Sequence, residues 1–158
     1  MSAKVKLGHL NMPAQDPQRL ATFYRDLLGL EQHLAGNIPQ MGSFVFLRDH
    51  AETPLTVGFM TRAEARHVAW EVESIAALRA LYAEAQARGI PMAFAMNHGV
   101  TVSIYLRDPE GNVCELYWPT GYDVPGVFTR PLDLALFEQS DDEILAVVNE
   151  QLRGLLAL

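Results

Sequence analysis

Near the start of the chain, every second residue forms one series of two apolar and then two polar side chains: Val5, Leu7, His9 and Asn11. Successive side chains of a β-strand point to opposite faces, so this period predicts a strand at the start of the chain. Two polar side chains, His9 and Asn11, are therefore expected to share one face of the first strand.

An amphipathic helix and three strands are predicted next. Asp16 is a preferred N-cap residue, Pro17 suits the first helical position, and Gly29 is typical of a helix end. The apolar residues at helical spacing are Leu20, Phe23, Tyr24, Leu27 and Leu28. Strands are predicted near residues 30–34, 43–47 and 55–59, with a polar turn at 49–54. This part of the chain is expected to run β-α-β-β-β.

The same order starts again near residue 67, which indicates an internal repeat. A shift of 58 residues places His9 on His67, and Asp16 on Ser74 at the start of a second helix that ends at Gly89. The apolar face of that helix comprises Ile75, Leu78, Leu81, Tyr82 and Ala85. Strands are predicted at 67–72, 92–95, 100–106 and 112–118. The sequence thus predicts one domain, residues 1–158, with module 1 at about 4–60, module 2 at about 65–118, and a C-terminal linker and helix at 119–158.

Two further local patterns lie in the second half. Asp108, Pro109 and Gly111 occupy the first, second and fourth positions of a predicted type I turn. Residues 121–130 are expected to form an irregular linker, and Pro131 argues against regular structure beside it. A capping box begins the last helix, whose apolar stripe comprises Ile144, Leu145, Val148, Leu152, Leu155 and Leu156. Such a stripe must pack on its own sheet or on a partner subunit.

Composition limits the possible partners and locations. A hydrophobic fraction of 49% in 158 residues suffices for the core of about one domain. Twelve basic against nineteen acidic residues give a net charge of −7, so nucleic acid and anionic membranes are poor candidate partners. No apolar run reaches the roughly 18 residues of a membrane span, and a cytoplasmic location is expected. The single cysteine, Cys114, cannot form an internal disulfide and is expected to be a small buried hydrophobe facing away from Glu115.

The repeat indicates a candidate metal site. Equivalent positions of the two modules are His9 and His67 in the first strands, and Val57 and Glu115 in the last strands. Valine offers no ligand, so two imidazoles and one carboxylate remain. This set is associated with non-haem Fe(II) and oxygen chemistry, although Mn(II) or Zn(II) can also bind to it. The alternative is that both histidines are merely packed in their strands and that Glu115 is exposed on an edge strand.

Several motifs resemble those of a known family. They are the strand His9-Leu10-Asn11, the loop Asn97-His98-Gly99, Tyr105, and the stretch from Asp108 to Glu115. Over about residues 5–118 the chain resembles the vicinal oxygen chelate superfamily, which includes glyoxalase I and bleomycin-resistance proteins. Within it, the chain is most similar to single-domain extradiol catechol 2,3-dioxygenases. This resemblance implies an α+β fold of two paired βαβββ modules forming a curved sheet around a metal cleft, and a homodimer or higher homo-oligomer.

The resemblance also implies a chemistry. Fe(II) bound by His9, His67 and Glu115 would hold a catechol-type aromatic diol and its co-substrate O2, and the ring would open beside the diol. The same resemblance implies further catalytic roles for Asn11, His98 and Tyr105. Read without it, Tyr105 is a packed strand tyrosine and His98 a plain turn residue.

One feature departs from that family pattern. Extradiol enzymes usually carry an acid/base histidine at the start of the first module's last strand, where this chain has Pro54, Leu55 and Thr56. His50 lies nearby but several residues out of register, so either it reaches the site, or His98 or water transfers the protons. His50 and His33 are otherwise expected on the surface.

Three other functions share part of this pattern. Fosfomycin-resistance thiol transferases use a similar ligand set, but they need cationic residues for a phosphonate, and residues 92–102 contain no lysine. Glyoxalase-like isomerases use four ligands, and Val57 removes one of them. A non-catalytic protein that binds aromatic drugs would not need the ligand triad.

Overall fold

The computed structural model describes residues 4–49 and 57–155. These ranges contain nine strands and three α-helices: β1 (Val5–Pro13), α1 (Pro17–Leu28), β2 (Glu31–Ile38), β3 (Gly42–Arg48), β4 (Val57–Met60), β5 (His67–Val72), α2 (Ile75–Ala87), β6 (Met92–Asn97), β7 (Thr101–Arg107), β8 (Val113–Pro119), β9 (Arg130–Leu132) and α3 (Asp141–Leu152). Two 3₁₀ helices, Ala63–Ala65 and Leu134–Glu138, lie between them. The predicted α+β class is confirmed. No helix within the described ranges is long and apolar enough to cross a membrane.

The chain folds as two compact units, and the first is Leu7–Ala69. Its strands follow the order β2-β3-β4-β1 and continue into the start of β5. β1 and β4 are parallel, with Leu10 opposite Val57, and β3 is antiparallel to both β2 and β4. Its small core comprises Ala21, Val45, Leu47 and Phe59. Of the predicted polar turn at 49–54, only Asp49 belongs to the described part of the chain.

Helix α1 begins and ends as predicted, but it buries a narrower face. The Asp16 side chain accepts a hydrogen bond from the Arg19 amide at 2.9 Å, and Gly29 ends the helix with a left-handed φ of 72°. Ala21 is buried, whereas Phe23 is 55% exposed. At about 100° per residue, Phe23 and Leu27 lie away from the Ala21 side of the helix and therefore face outward. The exposed members of the predicted apolar face are Phe23, Leu27 and Leu28.

The second unit is Trp70–Leu158 together with Met1–Lys6. Its strand order is β5-β8-β7-β6-β9, and β7 is antiparallel to both β6 and β8. Helix α2 is capped by the Ser74 side chain, which accepts from the Ala77 amide at 3.1 Å. The predicted face of α2 enters the core through Ile75, Leu78, Tyr82 and Ala85, with Leu81 partly buried. Pro131 lies within β9, contrary to the prediction, because a short strand paired on one side tolerates a residue without an N–H.

Helix α3 packs within its own unit. The capping box is present, since Ser140 and Glu143 exchange side-chain and backbone hydrogen bonds. Its fully buried residues, Ile144, Val148 and Leu152, join the core of the second unit. These three side chains of the predicted stripe thus pack on their own unit, whereas Leu155 is 47% exposed and Leu156 lies outside the described residues.

The predicted turn at Asp108 leads directly into β8. The Gly111 amide donates to the Asp108 carbonyl at 2.9 Å, and Gly111 has a φ of 80°. The Asp108 carboxylate accepts from the Asn112 amide at 2.8 Å, from the Asn112 side chain at 2.9 Å and from the Glu110 amide at 2.9 Å. These hydrogen bonds, the one from the Asn112 side chain first, lower the pKa of Asp108. The turn thereby sets the register in which β8 returns beside β7.

Candidate active site

In the first unit, two histidine rings meet on neighbouring strands. The Nε2 atoms of His9 on β1 and His67 on β5 lie 3.1 Å apart, and the rings meet edge to face. His67 Nδ1 lies 2.8 Å from the Ala65 carbonyl. A carbonyl only accepts, so Nδ1 carries the proton, and Nε2 is the ring atom that faces His9. This tautomer is the one that binds metal ions through Nε2.

The spacing of the two nitrogens fits a shared metal ion. Two nitrogens bound at right angles and about 2.1 Å from one ion would lie about 3.0 Å apart. The His9 and His67 Nε2 atoms are 3.1 Å apart. His9 is 9% exposed, so this arrangement is largely shielded from solvent. The donor chemistry of the first unit is therefore compatible with metal binding.

Asn11 extends the same face of β1. Its Nδ2 group donates to His67 Nε2 at 3.1 Å, and the residue is 5% exposed. Within the described residues, no group forms a hydrogen bond with its buried Oδ1 atom. Gly58 lies opposite Asn11 in the β1–β4 pair, and a Cβ atom there would lie 2.1 Å from that oxygen. Because residue 58 is a glycine, there is space for the Asn11 side chain, whose Oδ1 atom can accept a further hydrogen bond.

In the second unit, Glu115 is a buried carboxylate on β8. It is 2% exposed and lies opposite Tyr105 in the antiparallel pair of β7 and β8. Its neighbour Leu116 joins the apolar core, and Cys114 packs partly buried against that core. Cys114 therefore faces away from Glu115, as the alternation predicts, and burial raises the pKa of its thiol. The edge-exposed alternative for Glu115 is wrong.

Tyr105 and His98 are joined by a hydrogen bond. The Tyr105 hydroxyl lies 2.9 Å from His98 Nε2, and it also forms hydrogen bonds with Glu115 and Ser103. Burial first, and then the charge and hydrogen bond of Glu115, raise the pKa of Tyr105 well above its ordinary value, while Ser103 opposes the shift. Tyr105 is thus a neutral phenol embedded in a polar cluster.

A half-exposed aromatic ring flanks this cluster. Phe94 is 45% exposed and stacks on the Tyr105 ring, with centroids 4.3 Å apart. A bulge between Met92 and Phe94 separates the two faces of β6: Met92 lies opposite Leu106, and Phe94 opposite Tyr105. Met92 and Leu106 pack against the core. Phe94 therefore lies on the face that carries Tyr105 and Glu115.

Two polar residues near these groups, Thr129 and Glu71, were not predicted from the sequence. Thr129 lies 3.1 Å from His98 Nδ1, and its place in an irregular linker carries no sequence signal. Glu71 forms an ion pair with Lys6 at 2.9 Å and accepts from the Tyr117 hydroxyl at 3.2 Å. Because Glu71 is four residues after His67 on β5, the two-residue alternation could have found it.

Two further histidines of the sequence are His33 and His50. His33 on β2 is exposed, as expected, and burial and the nearby Arg48 lower its pKa. His50 and the segment Pro54–Thr56, where the family pattern places an acid/base histidine, lie outside the described residues.

Comparisons with known proteins give one family match and distant relatives. The sequence model of the Glyoxalase/Bleomycin resistance protein/Dioxygenase superfamily matches residues 6–116. Biphenyl-2,3-diol 1,2-dioxygenase 3 of Rhodococcus globerulus is 27% identical over 130 residues, which cover 73% of this chain and 64% of that protein. Manganese-dependent 2,3-dihydroxybiphenyl 1,2-dioxygenase of Geobacillus genomosp. 3 is 26% identical over 127 residues, which cover 75% of this chain and 38% of that protein. The chain thus spans less than two thirds of either relative.

Among solved structures, the Mn(II)-bound glyoxalase from Novosphingobium aromaticivorans gives a TM-score of 0.61 at 20% identity, and the match covers 75% of this chain and 40% of that one. At this identity the likeness shows the fold alone.

Proposed function

Because the chain belongs to the Glyoxalase/Bleomycin resistance protein/Dioxygenase superfamily, we propose that it is a metal-dependent extradiol dioxygenase that opens the ring of a catechol-type diol with O2. Both curated relatives are named as dioxygenases of biphenyl-type diols. The observation that carries the proposal is the 2.9 Å hydrogen bond between His98 and Tyr105, the residue opposite Glu115 in the β7–β8 pair. A site that only bound an aromatic molecule would not need this partly buried acid–base pair.

The proposed ligands are His9, His67 and Glu115. They offer two imidazole nitrogens and a carboxylate oxygen, a set that suits Fe(II) and also Mn(II) or Zn(II). Fe(II) is the proposed ion, and the name of one relative makes Mn(II) the main alternative. When bound, the ion supplies Lewis acidity and a template for the diol and O2.

The protein's own side chains would manage the protons. Tyr105 is a neutral phenol in contact with His98 and Glu115, so it can donate to a diol oxygen while His98 supplies or receives a proton behind it. Asn11 Oδ1 is a buried acceptor without a partner among the described groups. It would accept a hydrogen bond from a substrate hydroxyl beside His67. These roles need no histidine near Leu55.

The substrate would be held against an aromatic surface. Phe94 is half exposed and already stacked on Tyr105, so its outer face is free for an apolar ring. A diol whose hydroxyls approach Tyr105 would place a second ring or an apolar substituent near Phe94. The proposed substrate class is therefore a catechol that carries an apolar or aromatic substituent.

Anaerobic loading with Fe(II), followed by addition of catechol or 2,3-dihydroxybiphenyl in the presence of O2, tests the function. We expect equimolar consumption of O2 and diol and a yellow ring-opened product. A parallel sample loaded with Mn(II) identifies the active metal. Failure of both metal-bound forms to consume O2 with either diol would contradict the dioxygenase proposal.

A further inference from the structure

His98 lies on the tight turn between β6 and β7, within the second unit. The His98 amide donates to the Thr101 carbonyl at 2.9 Å, and the Val100 amide donates to the His98 carbonyl at 2.9 Å. Gly99, at the tip of the turn, has a left-handed φ of 76°. The His98 side chain reaches from this turn to the Tyr105 hydroxyl, 2.9 Å away. The position of the imidazole therefore depends on how the turn is held.

A buried asparagine holds the start of this turn. Asn97 is fully buried, and its Oδ1 atom accepts from the Gly99 amide at 2.8 Å. Its Nδ2 group donates to Gln151 Oε1 at 3.0 Å and to the Val148 carbonyl at 3.4 Å, both on α3. The Asn97 side chain thus joins the turn to the last helix.

The direction of these hydrogen bonds is fixed at both ends. Gln151 Nε2 donates to the Pro131 carbonyl of β9 at 3.1 Å, and a carbonyl only accepts, so Gln151 presents Oε1 to Asn97. At the other end the Gly99 amide only donates, so Asn97 presents Oδ1 to it. Turning either side-chain amide over would bring two donors or two acceptors face to face and leave buried polar groups unpaired.

We propose that Gln151 is a positioning residue for His98. It orients the Asn97 amide, and Asn97 in turn holds the turn from which His98 reaches Tyr105. Neither side-chain amide titrates, so the direction of these hydrogen bonds follows from their donors and acceptors alone. The value of this arrangement for catalysis rests on the proposed dioxygenase function, whereas the hydrogen-bonded chain does not.

The segment after β8 supports the same turn from a second side. The Thr120 hydroxyl donates to the Gly99 carbonyl at 2.6 Å. Val124 packs so closely on Gly99 that a Cβ atom there would lie 2.7 Å from Val124 Cγ2. Thr120, Val124 and Gln151 all lie beyond residues 6–116, the part that the family model matches. The C-terminal part of this chain would therefore contribute to the proposed site, and not only to the core.

Amide hydrogen exchange, measured by NMR on metal-free protein, tests the hydrogen-bonded chain. Gln151→Met keeps a side chain of similar length and removes both polar groups, so Asn97 loses the partner that orients it. The Gly99 amide should then exchange about 2- to 12-fold faster, the effect of losing one hydrogen bond. Gln151→Glu keeps an acceptor for Asn97 and should exchange as the wild type does. The Ile90 amide, which donates to the Ala85 carbonyl, reports any general loss of stability.

Two further measurements connect the turn to His98. The nuclear Overhauser effect between the ring protons of His98 and Tyr105 should weaken in Gln151→Met and persist in Gln151→Glu. In the metal-loaded protein, kcat of Gln151→Met should fall about 2- to 12-fold with little change in KM, and Gln151→Glu should recover it. Gln139→Met, the same change at an exposed glutamine, is the matched control and should leave all three readouts unchanged.

In Gln151→Met, exchange at Gly99 that rises no more than at Ile90, or a persisting contact between the His98 and Tyr105 rings, would overturn the inference. If Gln151→Met does not fold, Gln151→Lys, which offers Asn97 only a donor, must show the same losses for the inference to stand. If the NMR results are as expected and no form cleaves a diol, the inference stands and the dioxygenase proposal fails.

Discussion

Tyr105 and Glu115 are directly opposed across the antiparallel pair of β7 and β8, and both are buried, at 6% and 2% exposure. Tyr105→Phe keeps the ring that stacks on Phe94 and removes only the hydroxyl. If the phenol donates to a diol oxygen, kcat should fall about 100-fold, the lower end for general acid–base groups. Steady-state O2 uptake measures the loss. Tyr122→Phe, which removes a hydroxyl bonded to Asn149, should retain full turnover, and equal activity of both variants would refute the role of Tyr105.

Metal binding should depend on each of the three proposed ligands. His67→Ala and Glu115→Ala each remove one of three ligands, so the metal content after anaerobic loading and desalting should fall from about one ion per chain to near zero. Elemental analysis of the desalted protein measures it. His33→Ala removes an exposed histidine and should leave the content unchanged. Stoichiometric metal in either ligand variant would rule out the proposed site.

Phe94 should determine preference among diols. Phe94→Ala removes an aromatic face worth about 0.5–1.5 kcal/mol in a ring contact, so Kd for 2,3-dihydroxybiphenyl should rise about 2- to 12-fold. Kd for catechol itself should change less. Anaerobic calorimetry on the metal-loaded protein gives both values. Phe23→Ala, at another exposed phenylalanine, is the matched control, and an equal effect on both diols would show that Phe94 does not select the substrate.

Gly58 should tolerate no side chain. A Cβ atom would lie 2.1 Å from Asn11 Oδ1 and 2.7 Å from the Phe46 ring, so Gly58→Ala must displace both groups. Overpacking of this kind costs about 1–3 kcal/mol of unfolding free energy. Urea denaturation measures that cost. Unchanged stability would mean that Asn11 is not confined as described.

Low pH should reduce the contribution of the Asp108 turn, which precedes β8, to the stability of the fold. The pKa of Asp108 is lowered in the fold by hydrogen bonds from Asn112 and Glu110, so folding favours the charged carboxylate. Its contribution is complete above the ordinary aspartate pKa of about 4, and it is lost as the pH falls through the lowered value. Asp108→Asn should therefore be less stable than the wild type at pH 7, with the difference shrinking toward acid pH.

Urea denaturation at several pH values measures this difference. Glu110→Gln, an exposed carboxyl in the same turn, is the control. Identical pH profiles for the two variants would contradict the role of Asp108.

Local chemistry explains which elements could be predicted. The three helices begin after the N-cap residues Asp16, Ser74 and Ser140. Each N-cap side chain accepts a hydrogen bond from an amide two or three positions ahead, so the sequence shows these helix starts directly. Strand alternation likewise placed Glu115 and Cys114 on opposite faces. The repeat paired His9 with His67, and their Nε2 atoms lie 3.1 Å apart.

Contacts between distant segments were decided only by the tertiary structure. The bulge in β6 separates Phe94 from Met92, and the β6–β9 register brings Thr129 to His98 across 31 residues of chain. The exposed side of α1 and the burial of α3 in its own unit depend on which neighbours cover each helix. A residue pattern records the period of an element, but it does not record the surface against which that element packs. The sequence alone therefore determined the elements and the candidate ligands, while the fold decided which hydroxyl, ring and amide surround them.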